Sequence, residues 1–550
     1  MKIKTTLLEG ICSCTIAVSF LGFTSCRTSD TENNLVQGAK AQVNINFIGT
    51  AFKDDNLSSQ ASFKSTRLNA NAGKEQSHSL MITPSTVLVT TLAPLKSKLY
   101  TQAGLKNSLA VVSGNPLNNG TKFRVIAYKA ADGSYQTYQD YTIGVAPQPM
   151  TLDTGVTYNI VAYSYGTSSL PTITSGETSN IGSAQIAYNN NSRDLMYVKQ
   201  PYTPSSTNTT LNFTLMHQLA QITTRVRTNA GTLNSIQNAL LIPHFSDGSF
   251  SLNTGVMTGS TTSAPQSIDF TANTFPVVAN TFANASPVLI NANTTGNQAS
   301  ISADINIGGS MKNVNFANTF DITPGTQNTL TVDIVKCGAY INPTTFKDFQ
   351  CQNLGVTATD PFAVVKENHG AKYQWGYKPT NPNLSDNRYY TQADDQNNSG
   401  TITGWNTTIV ANGSWNTGTE AIPAKNAAND PCPTGYRVPT NTEWLGVVNT
   451  ARNFKEDYGT NWTASPTNFG SVLRIHDTNA AGAIILQLPA TGGRNYTDGN
   501  LLNRGSFGYY WSSTEFGASN AYAMYFGLGS ITVGNNFSRP SGAPVRCIAE

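Results

Sequence analysis

The segment AQVNINFIGT, residues 41–50, places Val43, Ile45 and Phe47 on one face of an extended chain and Asn44 and Asn46 on the other. A period of two predicts a half-buried β-strand, because successive strand side chains point to opposite faces. An apolar leader lies upstream, and downstream a polar run ends in Lys64, Ser65, Thr66 and Arg67. A strand so placed reads first as the opening strand of a β-sandwich. Its position between a leader and an isolated basic stretch also admits a strand that is removed.

The leader carries Lys2 and Lys4 ahead of an apolar core, Ile11 to Phe23, which has signal-peptide length and is too short to span a bilayer. Residues 1–25 are therefore expected to be a signal peptide. The run Leu21-Gly22-Phe23-Thr24-Ser25 leads into Cys26, and this junction resembles a bacterial lipoprotein signal, which implies lipidation of Cys26. A soluble secreted protein cut near the same point is the competing reading. Beyond the leader, four cysteines remain, Cys337, Cys351, Cys432 and Cys547. An even number in an oxidising compartment is compatible with one or two disulfides. None has the close C-x-x-C spacing of a zinc site, so no metal is expected on these thiols.

Composition narrows the class further. The chain has 550 residues, room for two to four domains, with only 12% charged residues and a net charge of +3. That balance, without a basic cluster, argues against nucleic acid as a partner. Abundant Thr, Tyr, Val and Phe, interrupted by Gly, Asn and Pro, favour antiparallel sheet with long polar loops. Residues 121–130, 135–143, 157–165, 211–215 and 222–226 are predicted strands, the first two joined across the turn signal Ala131-Asp132-Gly133-Ser134. His217 reads as a hydrogen-bonded structural histidine, since no metal-ligating residue lies beside it at ligand spacing.

All six tryptophans fall beyond residue 374, which predicts a separate last domain with its own core chemistry. Its best helix starts at Thr440, with Glu443 three places on as a capping box ahead of Trp444. Asp430, Glu443 and Glu515 are explained by capping and loop hydrogen bonds. Tyr509, Tyr522 and Tyr525 read as core packing, with a binding face as the alternative.

The strings Gly120-Thr-Lys-Phe-Arg-Val-Ile-Ala-Tyr, Thr157-Tyr-Asn-Ile-Val-Ala-Tyr-Ser-Tyr and Leu211-Asn-Phe-Thr-Leu-Met-His217 resemble the fimbrillin superfamily of Bacteroidetes. The resemblance implies a mainly β fold with one or two N-terminal sandwiches, here drawn as residues 68–190 and 191–338, behind a lipidated segment, residues 26–67. Residues 339–550 resemble the "major paralogous" domain of surface proteins, on Cys351-Gln-Asn-Leu-Gly, Gly370-Ala-Lys-Tyr-Gln-Trp-Gly, Asp430-Pro-Cys-Pro-Thr-Gly-Tyr-Arg-Val-Pro, Tyr510-Trp-Ser-Ser-Thr and Pro544-Val-Arg-Cys-Ile. That resemblance implies an irregular α+β scaffold of the C-type-lectin-like and formylglycine-generating-enzyme kind. It also implies that Cys432 pairs with Cys547, leaving Cys337 and Cys351 for a second bond.

Formylglycine-generating enzymes use two nearby cysteines, which this chain lacks, and Trp511 is followed by Ser512-Ser513 where calcium-dependent lectins need acids and amides. No esterase elbow, phosphate loop or metalloprotease motif occurs. No enzymatic activity and no cofactor are expected. The whole chain resembles an accessory tip subunit of major fimbriae. Implied partners are FimC- and FimD-like accessory subunits, the major fimbrillin, and host matrix proteins such as fibronectin and collagen, with membrane contact only through the lipid. The family's assembly route implies cleavage at Arg67-Leu68, with Lys64 as the weaker alternative, removal of the strand that carries Val43, Ile45 and Phe47, and its replacement by a neighbour's strand. The C-terminal domain ends in a position that implies accepting a strand without donating one, hence a tip. A monomeric outer-membrane lipoprotein that binds glycan or protein through its C-terminal domain is the other class of function.

Overall fold

In the computed structural model the described residues are 39–53, 74–95, 111–113, 116–190, 194–459, 461–477 and 482–550. The predicted lipidation residue Cys26 and the predicted cleavage pair Arg67 and Leu68 lie outside them. The first twelve strands are β1 (Lys40–Lys53), β2 (Gln76–Thr83), β3 (Thr86–Pro94), β4 (Val111–Ser113), β5 (Lys122–Lys129) and β6 (Tyr135–Thr142). They continue with β7 (Met150–Asp153), β8 (Tyr158–Ser164), β9 (Gln185–Asn189), β10 (Met196–Tyr202), β11 (Asn208–His217) and β12 (Ala220–Thr228).

The first sheet runs β4-β1-β11-β10-β8-β5-β6, with β7 pairing the other end of β1. Tyr141 on β6 and Leu152 on β7 sit at opposite ends of this order yet share one core with Val125, Ile160 and Phe213, so the sheet curls around its own apolar side chains. The reverse face of β5, β8 and β10 is covered by Ile186 and Tyr188 of β9 and by Phe250. Burial on both faces explains why β5 and β8 read as nearly continuous apolar runs instead of alternating.

The second sandwich pairs β12, strand Gln327–Lys336, β3 and β2 in one sheet. Strands Leu233–Ile242, Ala299–Ile307 and Ser310–Phe320 belong to the opposite sheet, and Leu88, Ile222, Leu241, Phe316 and Leu330 fill the space between. The boundary drawn at residue 190 does not divide these sheets. β10 and β11 belong to the first, while β2 and β3 lie in the second, where β3 runs antiparallel to residues 328–336. The chain therefore visits the first sheet with β1, crosses to the second with β2 and β3, and returns. Sequence proximity concealed that crossing because pairing partners here are more than two hundred residues apart.

The last domain docks on the outer face of the second sandwich. Val89 and Val335 join its core with Trp444, Tyr510 and Phe526. The turn between β2 and β3 is tied to it, with Cys337 N–H donating to the Ser85 carbonyl (2.8 Å) and Cys351 N–H to the Pro84 carbonyl (2.7 Å). Disulfides join Cys337 to Cys351 and Cys432 to Cys547. Helix is confined to α1 (Gln392–Asn397), α2 (Asn441–Asn449) and one short 3-10 turn among the described residues. Thr440 and Glu443 form the reciprocal capping box of α2, and the Arg437 guanidinium grips the same Glu443 carboxylate at 2.8 and 2.5 Å. Trp375, Trp415, Trp444 and Trp511 are fully buried.

Candidate functional site: the seat of the first strand

β1 extends the predicted strand by one residue at its start and three at its end. It lies inside the first sheet, parallel to β11 over Gln42–Ala51 on one side. On the other side it is antiparallel to β7 at its start and to β4 at its end. Ala41, Val43 and Ile45 are buried, with Gln42, Asn44 and Asn46 exposed between them. Phe47 is half-buried and packs on Phe123 (5.6 Å between ring centres) and Phe213 (6.0 Å). The pairing register then shifts between Phe47 and Gly49, a bulge that changes the phase of the strand. Thr50, Ala51 and Phe52 are consequently all buried, and the Phe52 ring lies flat on His217 at 3.9 Å. The sequence pattern missed this second half because the bulge breaks the period of two.

His217 Nδ1 is held by Asp194 at 2.8 Å. The outward face of β1 makes only light contacts. Lys40 pairs with Asp153 (2.5 Å), a bond that raises the lysine's pKa, and the Asn46 amide donates to Asn212 (2.7 Å). Such exposed contacts contribute little, whereas Val43, Ile45 and Phe52 each contribute about 1.5–3 kcal/mol by burial. Without β1, one edge of β11 and the facing edge of β7 are left with unpaired N–H and C=O groups. Between them a groove opens whose floor includes Phe123, Leu152, Leu211 and Phe213. That is the geometry that accepts a single strand with alternating apolar side chains.

The last domain contains a cluster that sequence reading passed over. Asp395, fully buried within α1, receives Arg494 Nε (2.8 Å) and Arg504 (2.6 Å), with Lys372 Nζ at 3.4 Å. Burial pushes the Asp395 carboxyl up, but Lys372, Arg504 and Arg494 outweigh it and hold it below its usual range. Burial lowers Lys372 to about 8 and, helped by Lys372 and Arg504, His369 to about 3. The two guanidiniums also donate to the carbonyls of Asp395, Asn398, Pro466 and Gly499, stitching the end of α1 to two loops. This is a structural staple. No group of three His, Cys, Asp or Glu side chains is arranged for a metal among the described residues, and no helix there is long and apolar enough to cross a membrane. The three acids assigned to loop bonding act so: Asp430 accepts from Cys432 and Val438 N–H, Glu443 from Thr440 N–H, and Glu515 from Gly413 N–H.

Among solved structures, the chain is similar to a candidate cell adhesion protein from Bacteroides fragilis NCTC 9343, at 13% identity, covering 53% of this chain and 92% of that one with a TM-score of 0.30. A candidate cell adhesion protein from Bacteroides uniformis ATCC 8492 matches at 12% identity over 39% of this chain and 86% of that one, TM-score 0.28. One from Parabacteroides distasonis ATCC 8503 matches at 10% identity over 44% and 87%, TM-score 0.29. At these scores the likeness in shape carries no argument for function. No curated protein matches the chain. The sequence families are more specific: residues 335–549 match the Fibrobacter succinogenes major domain, and residues 110–347, which include β11, match the fimbrillin-like family.

Proposed function

We propose that this protein is an accessory, tip-located subunit of cell-surface fimbriae that contributes to adhesion, is not an enzyme, and joins its neighbour by strand exchange. The observation that carries the reading is the place of β1. A strand from the start of the chain fills an interior position of the fimbrillin-like sheet, although it precedes the matched stretch and is followed by Arg67-Leu68. On this reading the precursor is lipidated at Cys26 and exported to the outer membrane. Cleavage after Arg67 frees β1, and a partner's strand replaces it. Partners are other accessory subunits of the FimC and FimD kind and the major fimbrillin, with host matrix proteins such as fibronectin and collagen as adhesion targets.

The pairing of Ile548–Ala549 bears on whether that strand is available for donation. Ile548–Ala549 is already paired with Tyr436–Arg437, and Cys547 is bonded to Cys432, so this strand is not free to enter another subunit. The kinship of the last domain with the C-type-lectin-like scaffold belongs to the same reading, supported by α2 docked on the sheet that contains Tyr510 and Trp511. The experiment is to purify surface filaments and read the N-terminus of this subunit. Co-purification with a new N-terminus at Leu68, abolished by Arg67→Ala, is expected. An assembled chain still beginning at Cys26, or unchanged incorporation of Arg67→Ala, overturns the proposal.

A further inference from the structure

The last domain carries an open cleft of about 470 Å³, within the range of small-ligand pockets, that strand exchange does not use. Its walls come from the loop at Asn495 and Tyr496, the paired strands Asn520–Gly527 and Ser530–Ser538, and Ser541. The lining joins an apolar part, Tyr496, Leu502 and Phe537, to an uncharged polar part. Asn495, Asn520 and Asn536 present carboxamides and Ser538 and Ser541 hydroxyls, and neither a carboxylate nor a cation is among the lining side chains.

Part of this polar lining has no work to do inside the protein. The Asn520 and Asn536 amides make no hydrogen bond to another described residue. Ser541 is 1% exposed, and its Oγ has no hydrogen-bond partner, a costly arrangement for a buried hydroxyl unless something else satisfies it. The aromatic groups are fixed or presented. Phe537 stacks on Tyr509 (5.2 Å, 10° between planes) and leans on Trp511 (5.3 Å), while the Tyr496 ring is 52% exposed.

We propose that this cleft binds a neutral saccharide, with the Asn520 and Asn536 amides and the Ser541 hydroxyl bonding sugar hydroxyls and an aromatic face from Tyr496 or Phe537 seating the apolar side of a ring. Carboxamides and hydroxyls both donate and accept, as sugar hydroxyls do, so the lining complements a polyol without any charge. Sulfated or sialylated glycans would bring an anion to a cleft with no cation to meet it. An extended peptide would seek an unpaired strand edge and alternate apolar pockets, and this cleft is lined instead by convergent amides. With no lining carboxylate, recognition here is independent of calcium. The inference stands apart from the strand-exchange scheme and survives its failure.

The test uses the purified full chain on a printed array of neutral, sialylated and sulfated oligosaccharides in the presence of EDTA, followed by calorimetric titration with the best neutral binder. The expected result is binding to neutral oligosaccharides that EDTA leaves unchanged. Asn536→Ala and Asn520→Ala are each expected to weaken it about tenfold, the effect of one lost hydrogen bond of about 1.4 kcal/mol. Asn536 is exposed, so its truncation leaves the fold intact and carries the test if Asn520→Ala misfolds. Binding only to charged glycans or to matrix peptides, loss of binding in EDTA, no binding at all, or a folded Asn536→Ala that binds as the native chain overturns the proposal.

Discussion

The front of the molecule and its last domain solve the same problem, holding a mainly β chain together, by different means. The two sandwiches bury ordinary aliphatic and aromatic side chains between sheets, and their strands are joined by backbone ladders with a few side-chain pairs such as Lys40–Asp153 and Arg227–Asp333. The last domain has shorter strands and long loops, and adds two disulfides, four fully buried tryptophans and a buried carboxylate shared by three cations. A core made of ladders and apolar side chains can lose and regain one strand. A core made of covalent and ionic staples cannot exchange a part without losing its closure. The difference is what the proposed strand exchange requires of the front, and it leaves the last domain to keep its shape.

The sharpest way to break this comparison is to remove a staple. All six tryptophans lie in the last domain, so tryptophan fluorescence reports its unfolding while far-ultraviolet circular dichroism follows the whole chain. The Cys432–Cys547 bond spans 115 residues, and loss of its constraint on the unfolded chain should cost about 5 kcal/mol in a Cys432→Ala/Cys547→Ala variant. The fluorescence midpoint in denaturant should fall steeply and the front transition little. A common shift of both transitions would mean that the packing of Val89 and Val335 on the core of the last domain makes the molecule one cooperative unit.

Asp395→Asn tests the ionic staple. It leaves Lys372, Arg494 and Arg504 buried together without a counter-charge, and about 4 kcal/mol of destabilisation is expected, again by fluorescence. A neutral effect would show that the backbone carbonyls around the guanidiniums suffice.

On the front side, Ile45→Ala should cost about 3 kcal/mol, because Ile45 is buried in the core that β1 closes. The loss should appear in circular dichroism and leave the tryptophan transition unmoved. Asn46→Ala on the outward face is its control, with a change within about 0.5 kcal/mol. Equal effects at positions 45 and 46 would contradict the observed seating of the strand.

How far these features were legible in the sequence follows from the range of the interactions. The alternation at Val43, Ile45 and Phe47 and the capping box at Thr440 and Glu443 are local, and both appear as read. The parallel pairing of β1 with β11 joins residues more than 160 positions apart, and nothing near either strand announces it. The move of β2 and β3 into the second sandwich was hidden for the same reason. Nothing in the sequence around Lys372, Asp395, Arg494 and Arg504 marks them as a cluster, since only the fold brings them together. Counting tryptophans, by contrast, located the last domain, because a change of core chemistry persists over two hundred residues.

The last comparison sets one carboxylate from each region side by side. Asp247 in the front accepts backbone N–H bonds from Thr261 and Thr262, and Asp430 in the last domain accepts them from Cys432 and Val438. The Asp247 bonds, made near solvent, hold its pKa well below the usual value, with the Thr262 N–H bond the largest cause. Burial outweighs the same kind of bonds at Asp430 and pushes its carboxyl up to about 6. The signs for stability are therefore opposite. Asp247 stabilises the fold above the ordinary carboxylate range and loses that contribution as pH falls through its lowered folded-state value. Asp430 binds its proton more tightly in the folded chain, so its contribution is greatest below about 4 and declines as pH rises to about 6, by at most about 1.4 kcal/mol per pH unit. Carbon-13 titration of the two side-chain carboxyls separates them directly. A midpoint near 6 for Asp430 and one below the usual range for Asp247 are expected, whereas matching midpoints would mean that the hydrogen-bond pattern, and not burial, decides the proton affinity in both regions.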